Sequence, residues 1–434
     1  MSGTAAVIAE FNPFHDGHAH LIREARRSGY DRVIALMSGD FVQRGEPAAA
    51  DRFVRTEMAL RGGADLVLAF PTRFATASAE TFAASGVRLL DRIGCVDALF
   101  FGSECGRLEP LAAVAGVLAE EPDWFRAALS SALREGLSYP AALSLALRKG
   151  DHCQEMQLSV PSAGTDGSGF SGTCDSTVPS AGTGEPGFPD AEQLLSQPNN
   201  ILAIEYLKAL IRRKSPMRPV TIPRAGRSYR ESASEMRRAI AGGKAALRDL
   251  GAIPPASLDV WERSGSGDTV LSADDFTVLL AGGIWSTDSP ETLAEYEDVT
   301  PDLAKTILRE RIGLRSFSQF AELISSKSVT LAHAKRALLH ISLGIKRRSC
   351  SPGEDDYARV LGFRKEAGEL PAELMRCSRI PVIMNPGRDL RGLSLRQREL
   401  IDEEARICGL YETVRAIRHG TAAVRDYSRF LITV

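Results

Sequence analysis

Ala5-Ala6-Val7-Ile8-Ala9-Glu10-Phe11-Asn12-Pro13-Phe14-His15-Asp16-Gly17-His18 carries an apolar strand into a tight turn where two histidines bracket a glycine, and a helical stretch, Ala19 to Arg27, follows at once. Strand, turn and helix within thirty residues suit a phosphate. A helix start presents unpaired N–H groups and the positive end of a dipole. Gly17 lets a ligand approach the backbone closely. His15 and His18, three apart, share one face of the helix start and can donate hydrogen bonds to phosphoryl oxygens. Two other uses compete. Zinc-binding helices usually carry His-Glu-x-x-His, and no third ligand stands near this pair. Alternatively, each ring satisfies local backbone groups, a structural role that the motif alone leaves open.

Working outward, further apolar runs alternate with helical ones. Arg32–Met37, Asp65–Phe70 and Ala98–Phe101 read as strands, with helices around Asp51–Arg61 and Ala77–Arg92. Strands that are apolar throughout, separated by helices, predict a parallel sheet covered on both faces. Ligands of such sheets bind beyond the carboxyl ends of the strands. The polar loops 9–18, 38–47 and 102–104 all fall there.

Asn199 to Arg213 predicts another helix, followed by a strand, Pro219–Ile222, and then Arg224. Ser232, Ser234 and Arg237 mark a further helix start. They fit either a second phosphate clamp or plain N-capping, and the histidine pair favours the clamp. Residues 155–188 differ in kind: Val160-Pro161-Ser162-Ala163-Gly164-Thr165 recurs as Val178-Pro179-Ser180-Ala181-Gly182-Thr183. Rich in Gly, Ser, Pro and Thr, this duplicated stretch has little to bury and predicts a disordered surface insertion. Past about residue 252 the pattern turns to amphipathic helices at 273–283, 302–313, 317–325 and 331–345, closing with a short αβ tail. Two domains are therefore expected, 1–251 and 252–434, within one α/β chain. The basic run Lys346-Arg347-Arg348 reads as a solvated face before it reads as a phosphate contact.

With 434 residues, 44% of them hydrophobic, the chain can bury a large core. A net charge of −2 excludes a wholly basic nucleic-acid coat but not a local basic groove. Seven cysteines without Cys-x-x-Cys spacing predict reduced thiols, with no zinc ribbon and no disulfide framework. No signal peptide precedes the first strand and no apolar run is long enough to span a membrane, so a soluble, cytoplasmic protein is expected.

The chain resembles the bacterial tRNA(Met) cytidine acetate ligase family, TmcAL, within the nucleotidyltransferases that carry a His-x-Gly-His signature. The matching stretches are Glu10 to His18, Met37 to Pro47, Phe101 to Glu104, Pro198 to Leu202, Arg224 with Gly226 and Tyr229, Ser232 to Ser234 with Arg237, and Tyr357 to Phe363. The resemblance implies a Rossmann-like nucleotidyltransferase domain followed by a mainly helical C-terminal domain. It implies ATP-dependent activation of acetate to acetyl-adenylate, then transfer of the acetyl group to N4 of the wobble cytidine of elongator tRNA(Met). By that motif ATP lies along Val7, Ile8, Ala9, Glu10, Phe11, Asn12, Pro13, Phe14, His15, Asp16, Gly17, His18, Ala19 and His20, with Gly102, Asn199 and Arg224. His15, His18, Ser232, Ser234 and Arg237 would serve catalysis. Mg²⁺ would accompany ATP without a dedicated carboxylate cage, and no resident metal is expected. The family's basic element ahead of a C-terminal helix corresponds here to 325–336, where Lys327, Lys335 and Arg336 are the tRNA-contact candidates. Two other functions fit the same motifs: a small-molecule adenylyltransferase without RNA, and a non-catalytic nucleotide- or RNA-binding protein.

Overall fold

Five apolar runs lie side by side in the computed structural model, which describes residues 3–137, 139–148, 191–224, 251–349 and 351–434 together with Met236, Ile240 and Arg248. In chain order the strands are β1 (Gly3–Ala9), β2 (Tyr30–Ser38), the two-residue β3 (Phe41–Val42) and β4 (Glu46–Pro47), β5 (Leu66–Phe70), β6 (Ala98–Ser103), β7 (Arg218–Pro223), β8 (Ala358–Phe363), β9 (Val382–Ile383) and β10 (Ile432–Thr433). The main sheet runs β10-β8-β5-β2-β1-β6-β7, with β9 beside β8. From β5 to β7 every pairing is parallel: Val7 sits opposite Ala35 of β2 and Phe100 of β6. The winding reverses between β1 and β6, which places a crevice at their carboxyl ends.

Alternation along the strands explains why both faces are dry. Ile34, Leu36, Leu66 and Leu68 point into one buried cluster, while Val33, Ala35 and Val67 point into the other. Each fully buried aliphatic side chain contributes about 1.5–3 kcal/mol, so a strand buried on both faces needs no partner beyond its neighbours and covering helices.

The expected boundary at 251/252 is not a break in the sheet. β8, beyond it, pairs antiparallel with β5, and β10 extends β8. Between those contributions, residues 271–345 form a separate helical core around Phe276, Leu280, Leu303, Phe317 and Leu338. Three of its helices start at hydroxyl caps: Thr300 accepts from Leu303 N, Ser316 from Gln319 N, and Thr330 from His333 N. Phe41, on the β3–β4 hairpin, plugs into this core edge-on to Phe276 at 5.3 Å and to Tyr411 at 5.8 Å. The sequence pattern predicts a helix near 394–409, and the helix that forms is longer. Leu395–His419 continues straight through Gly409, because Tyr411 beyond it is fully buried and offsets the glycine's cost of about 1 kcal/mol. The duplicated insertion 155–188 lies outside the described residues.

Candidate active site

The crevice at the carboxyl ends of β1 and β6 is a real cleft, lined by Ile8, Ala9, His15, Gly17, His18 and His20 on one side and by Gly102, Asn199 and Arg224 on the other. Everything the histidine turn does follows from its local hydrogen bonds. His15 is the N-cap of helix α1 (Asp16–Arg27): its Nδ1 accepts from Gly17 N at 3.1 Å, while His18 Nδ1 accepts from His15 N at 3.2 Å. This is a capping box built from two imidazoles. Asp16 N donates to the Ala252 carbonyl and His18 N to the His15 carbonyl, both at 2.9 Å. The unpaired helix-start amides expected from the sequence are therefore engaged, and a phosphate here would meet side chains and the helix dipole instead.

The same bonds set the tautomer. With Nδ1 of each ring accepting, a neutral imidazole must carry its proton on Nε2. Burial, then the charge of Arg224, lowers the His15 pKa to about 4. Burial, His15 and Arg224 push His18 well below its ordinary value. The rings stack 3.7 Å apart, with Phe11 edge-on to His18 at 4.8 Å. At neutral pH the site thus offers two uncharged Nε2–H donors beside one permanent cation.

The opposite wall is locked by a reciprocal pair. Glu104 accepts from Asn199 Nδ2 at 2.7 Å and from Asn200 N at 2.8 Å, capping the helix Pro198–Arg213 from outside. Asn200 Oδ1 returns the contact, accepting from Glu104 N at 2.9 Å. Arg224 N donates to the Ser103 carbonyl at 3.0 Å. A Cβ on Gly102 would meet Arg224 Cγ at 3.4 Å, an ordinary packing distance, so the Arg224 side chain lies directly over the end of β6.

The structure divides the 7–20 stretch by role. Val7, Phe11, Phe14 and Ala19 are core residues facing away from the cleft. Phe14 lies flat on the end of the Arg52–Arg61 helix, where a Cβ on Gly62 would fall 2.2 Å from its ring. Glu10 accepts from Gln43 N at 2.9 Å, and Asn12 Oδ1 accepts from Ala49 N at 2.6 Å, tying the turn to the 43–49 loop. Pro13 is buried after a cis peptide bond, and Asp16 is exposed. These residues hold the turn, whereas Ile8, Ala9, His15, Gly17, His18 and His20 meet the cleft. Ser232, Ser234 and Arg237 lie outside the described residues.

Several lining residues escaped the sequence reading: Leu21, Phe101, Leu202, Tyr206, Ile222 and Pro223. Asn199, Leu202 and Tyr206 are spaced three and four apart, one helical face, and that spacing was the available signal. Tyr206 is 2% exposed, and its hydroxyl has no hydrogen-bond partner among the described residues. Arg55 was also missed. Its buried guanidinium donates to the carbonyls of Glu10 at 2.7 Å, Ser38 at 3.1 Å and Ala50 at 2.9 Å, and also to that of Gly39. It gathers the ends of β1 and β2 around one cation.

The basic element fares differently. Lys335 Nζ meets Glu46 Oε1 at 2.6 Å, and Arg336 Nε meets Asp298 Oδ2 at 3.0 Å, both partly shielded from water. Gly45 presses on the backbone between them, where a Cβ would stand 2.7 Å from Arg336 N. Lys335 therefore joins the hairpin to the helical core, Arg336 pairs within that core, and Lys327 alone of the three is exposed. Lys346 pairs with Glu295, and Arg348 with Glu399. No carboxylate lines the cleft, and no group of three or more His, Cys, Asp or Glu side chains is placed to hold a metal among the described residues. None of the described helices is long and apolar enough to cross a membrane.

Residues 2–423 match the model of the HIGH Nucleotidyl Transferase family. A tRNA(Met) cytidine acetate ligase of Acetivibrio thermocellus is 33% identical over 87% of each chain, and one of Alkaliphilus metalliredigens is 32% identical over 93% of this chain and 92% of that one. A crystal structure of Thermotoga maritima TmcAL bound with alpha-thio ATP superposes with a TM-score of 0.80 at 26% identity, covering 100% of this chain and 99% of that one. An apo form of the same protein gives a TM-score of 0.83. With the histidine turn, the reversed sheet and full-length likeness in agreement, the chain belongs to the tRNA(Met) cytidine acetate ligase family of HIGH nucleotidyl transferases.

Proposed function

We propose that this chain activates acetate with ATP and transfers the acetyl group to N4 of the wobble cytidine of elongator tRNA(Met). One observation supports this above the rest: two neutral Nε2–H donors and Arg224 converge on the cleft where the sheet's winding reverses. An acetate oxygen attacks the α-phosphorus in line and pyrophosphate leaves, giving acetyl-adenylate. The reaction needs positioning and charge stabilisation more than a protein nucleophile. His15 and His18 donate to phosphoryl oxygens without titrating, and Arg224 supplies the positive potential. The cytidine amine then attacks the acetyl carbonyl, AMP leaves, and the amine's extra proton passes to solvent or to phosphate. Excluding water protects the mixed anhydride between the steps, and the apolar wall of Ile8, Leu21, Phe101, Leu202 and Ile222 serves that end.

With no carboxylate in the cleft among the described residues, the protein offers Mg²⁺ no ligand set of its own there. The ion's place would be on the nucleotide's phosphates and water, and no step here depends on it. The test is acetate-dependent pyrophosphate release with and without unmodified elongator tRNA(Met), with acetylcytidine read by mass spectrometry. Arg224→Ala should lose most of the release. Acetate-independent release, or release that leaves the RNA unmodified, would refute the reading.

A further inference from the structure

The helical core displays an exposed aromatic surface that the cleft chemistry does not use. Trp285 is 52% exposed, Ile312 86% and Leu323 44%. They form one patch. The Arg311 guanidinium lies over the Trp285 ring, 4.5 Å from its centroid. Ile312 is the next residue, and Gly313 packs beside Leu323, whose Cδ2 would stand 3.2 Å from a Cβ there. The segment then runs back along the Thr277–Trp285 helix, with Phe317 N donating to Thr277 Oγ1 at 3.0 Å.

Charge separates this patch from the other basic stretches. Lys335, Arg336, Lys346 and Arg348 are all bound to carboxylates. Arg311, Arg315 and Lys327 make no ion pair with any described residue. Glu310 is matched by Arg309; the exposed carboxylates nearby are Glu322, Asp274, which accepts from Ser318 N at 2.7 Å, and Asp288 just past Trp285. An indole half in water forfeits much of its burial energy, so a core role does not explain it. An aromatic face flanked by unpaired cations suits a polyanion whose bases stack.

We propose that Trp285 and Arg311 form a stacking platform for an unpaired nucleotide of the RNA acceptor, with Arg315 and Lys327 on its phosphates. This rests on the RNA-acetylating function above and moves the docking surface away from the ion-paired Lys335 and Arg336. The position is suitable. Leu271, Ser272 and Asp275, ahead of the Thr277–Trp285 helix, line a second cleft shared with Asn12 and Glu46. That nine-residue helix is about 13 Å long, with the residues ahead of it at this cleft and Trp285 at its far end.

The experiment measures binding of unmodified elongator tRNA(Met) by fluorescence anisotropy, using the full chain, alongside acetate-dependent ATP–pyrophosphate exchange without RNA. Trp285→Ala and Arg311→Ala should each weaken RNA binding about tenfold, Trp285→Phe should restore most of it, and exchange should stay at the wild-type level. Arg315→Ala and Lys327→Ala should each lower the slope of log K against log salt by about one. Wild-type RNA affinity in both Trp285→Ala and Arg311→Ala would overturn the platform alone. A wild-type chain that binds no tRNA would overturn the function, and the platform with it. Self-association lost in Trp285→Ala while RNA affinity is kept would assign the patch to a second copy of the chain instead.

Discussion

The histidine turn and the arginine network beneath the C-terminal helix are both polar and largely buried, yet they solve burial in opposite ways. At the turn, His15 and His18 stay neutral, bonded to backbone amides within three residues. In the network, Arg52 is fully buried and charged, bonded to Glu404 at 2.9 Å and also to Asp426, which binds Arg359 in turn. Arg73 likewise meets Glu403 at 2.7 Å. Neutral groups can be satisfied locally, by backbone amides a few residues away. Buried charges need opposite charges, here hundreds of residues away in sequence, and so they fix how the tail folds back on the sheet.

The sharpest break in this comparison is Arg52→Ala. It leaves Asp426 to Arg359 alone and Glu404 with no opposite charge, only its bonds from Thr72, and unfolding in urea should show a loss of about 3–5 kcal/mol. A loss below about 1 kcal/mol would mean that the network relaxes to water.

The turn should respond in rate instead. In His15→Asn an amide oxygen can replace Nδ1 as the cap acceptor while the Nε2–H is lost. Stability should hold within about 0.5 kcal/mol, and acetate-dependent pyrophosphate release should fall about 10²–10³-fold. Unchanged release would leave the ring with capping alone.

Acid tests the neutral groups as a class. His340, fully buried with Nδ1 near the Glu297 carbonyl and Nε2 near Thr76 Oγ1, also has its pKa lowered to about 4, chiefly by burial. Unfolded histidine titrates near 6.5, so the unfolded chain takes up protons first as pH falls. The histidine contribution to stability is intact above about pH 6.5 and is lost progressively toward pH 4, on the order of 3 kcal/mol for His340. NMR should show the His15 and His340 rings still neutral at pH 5; protonation near 6.5 would contradict their environments.

The smallest effect belongs to Lys335→Ala, whose pair with Glu46 is partly solvated. Stability should drop by about 1 kcal/mol or less, with pyrophosphate release unaffected. A large loss of RNA affinity in that variant would return docking to the ion-paired element.

The strand runs around residues 5–9, 32–37, 65–70 and 98–101 and the turn at 10–18 were legible because alternation, apolar runs and loop chemistry are properties of neighbouring residues. The same holds for helices with clear caps, such as those begun by Thr300 and Thr330. The helix end at His419 was not legible, since Gly409 looks like a stop and only Tyr411's burial carries the helix past it. Arg55 and Tyr206 were invisible for a related reason: nothing beside them in sequence says what surrounds them.

Sequence by itself determined the parallel sheet, the histidine-bearing helix start and the family, because each is written in short-range pattern. Tertiary structure alone decided that the helix-start amides are already engaged and that Phe14 rests on Gly62. It decided as well that Lys335 and Arg336 are bound to carboxylates while Arg311 lies over the half-exposed ring of Trp285. A side chain's charge is set by its type, but whether that charge is available depends on partners that only the folded chain brings within reach.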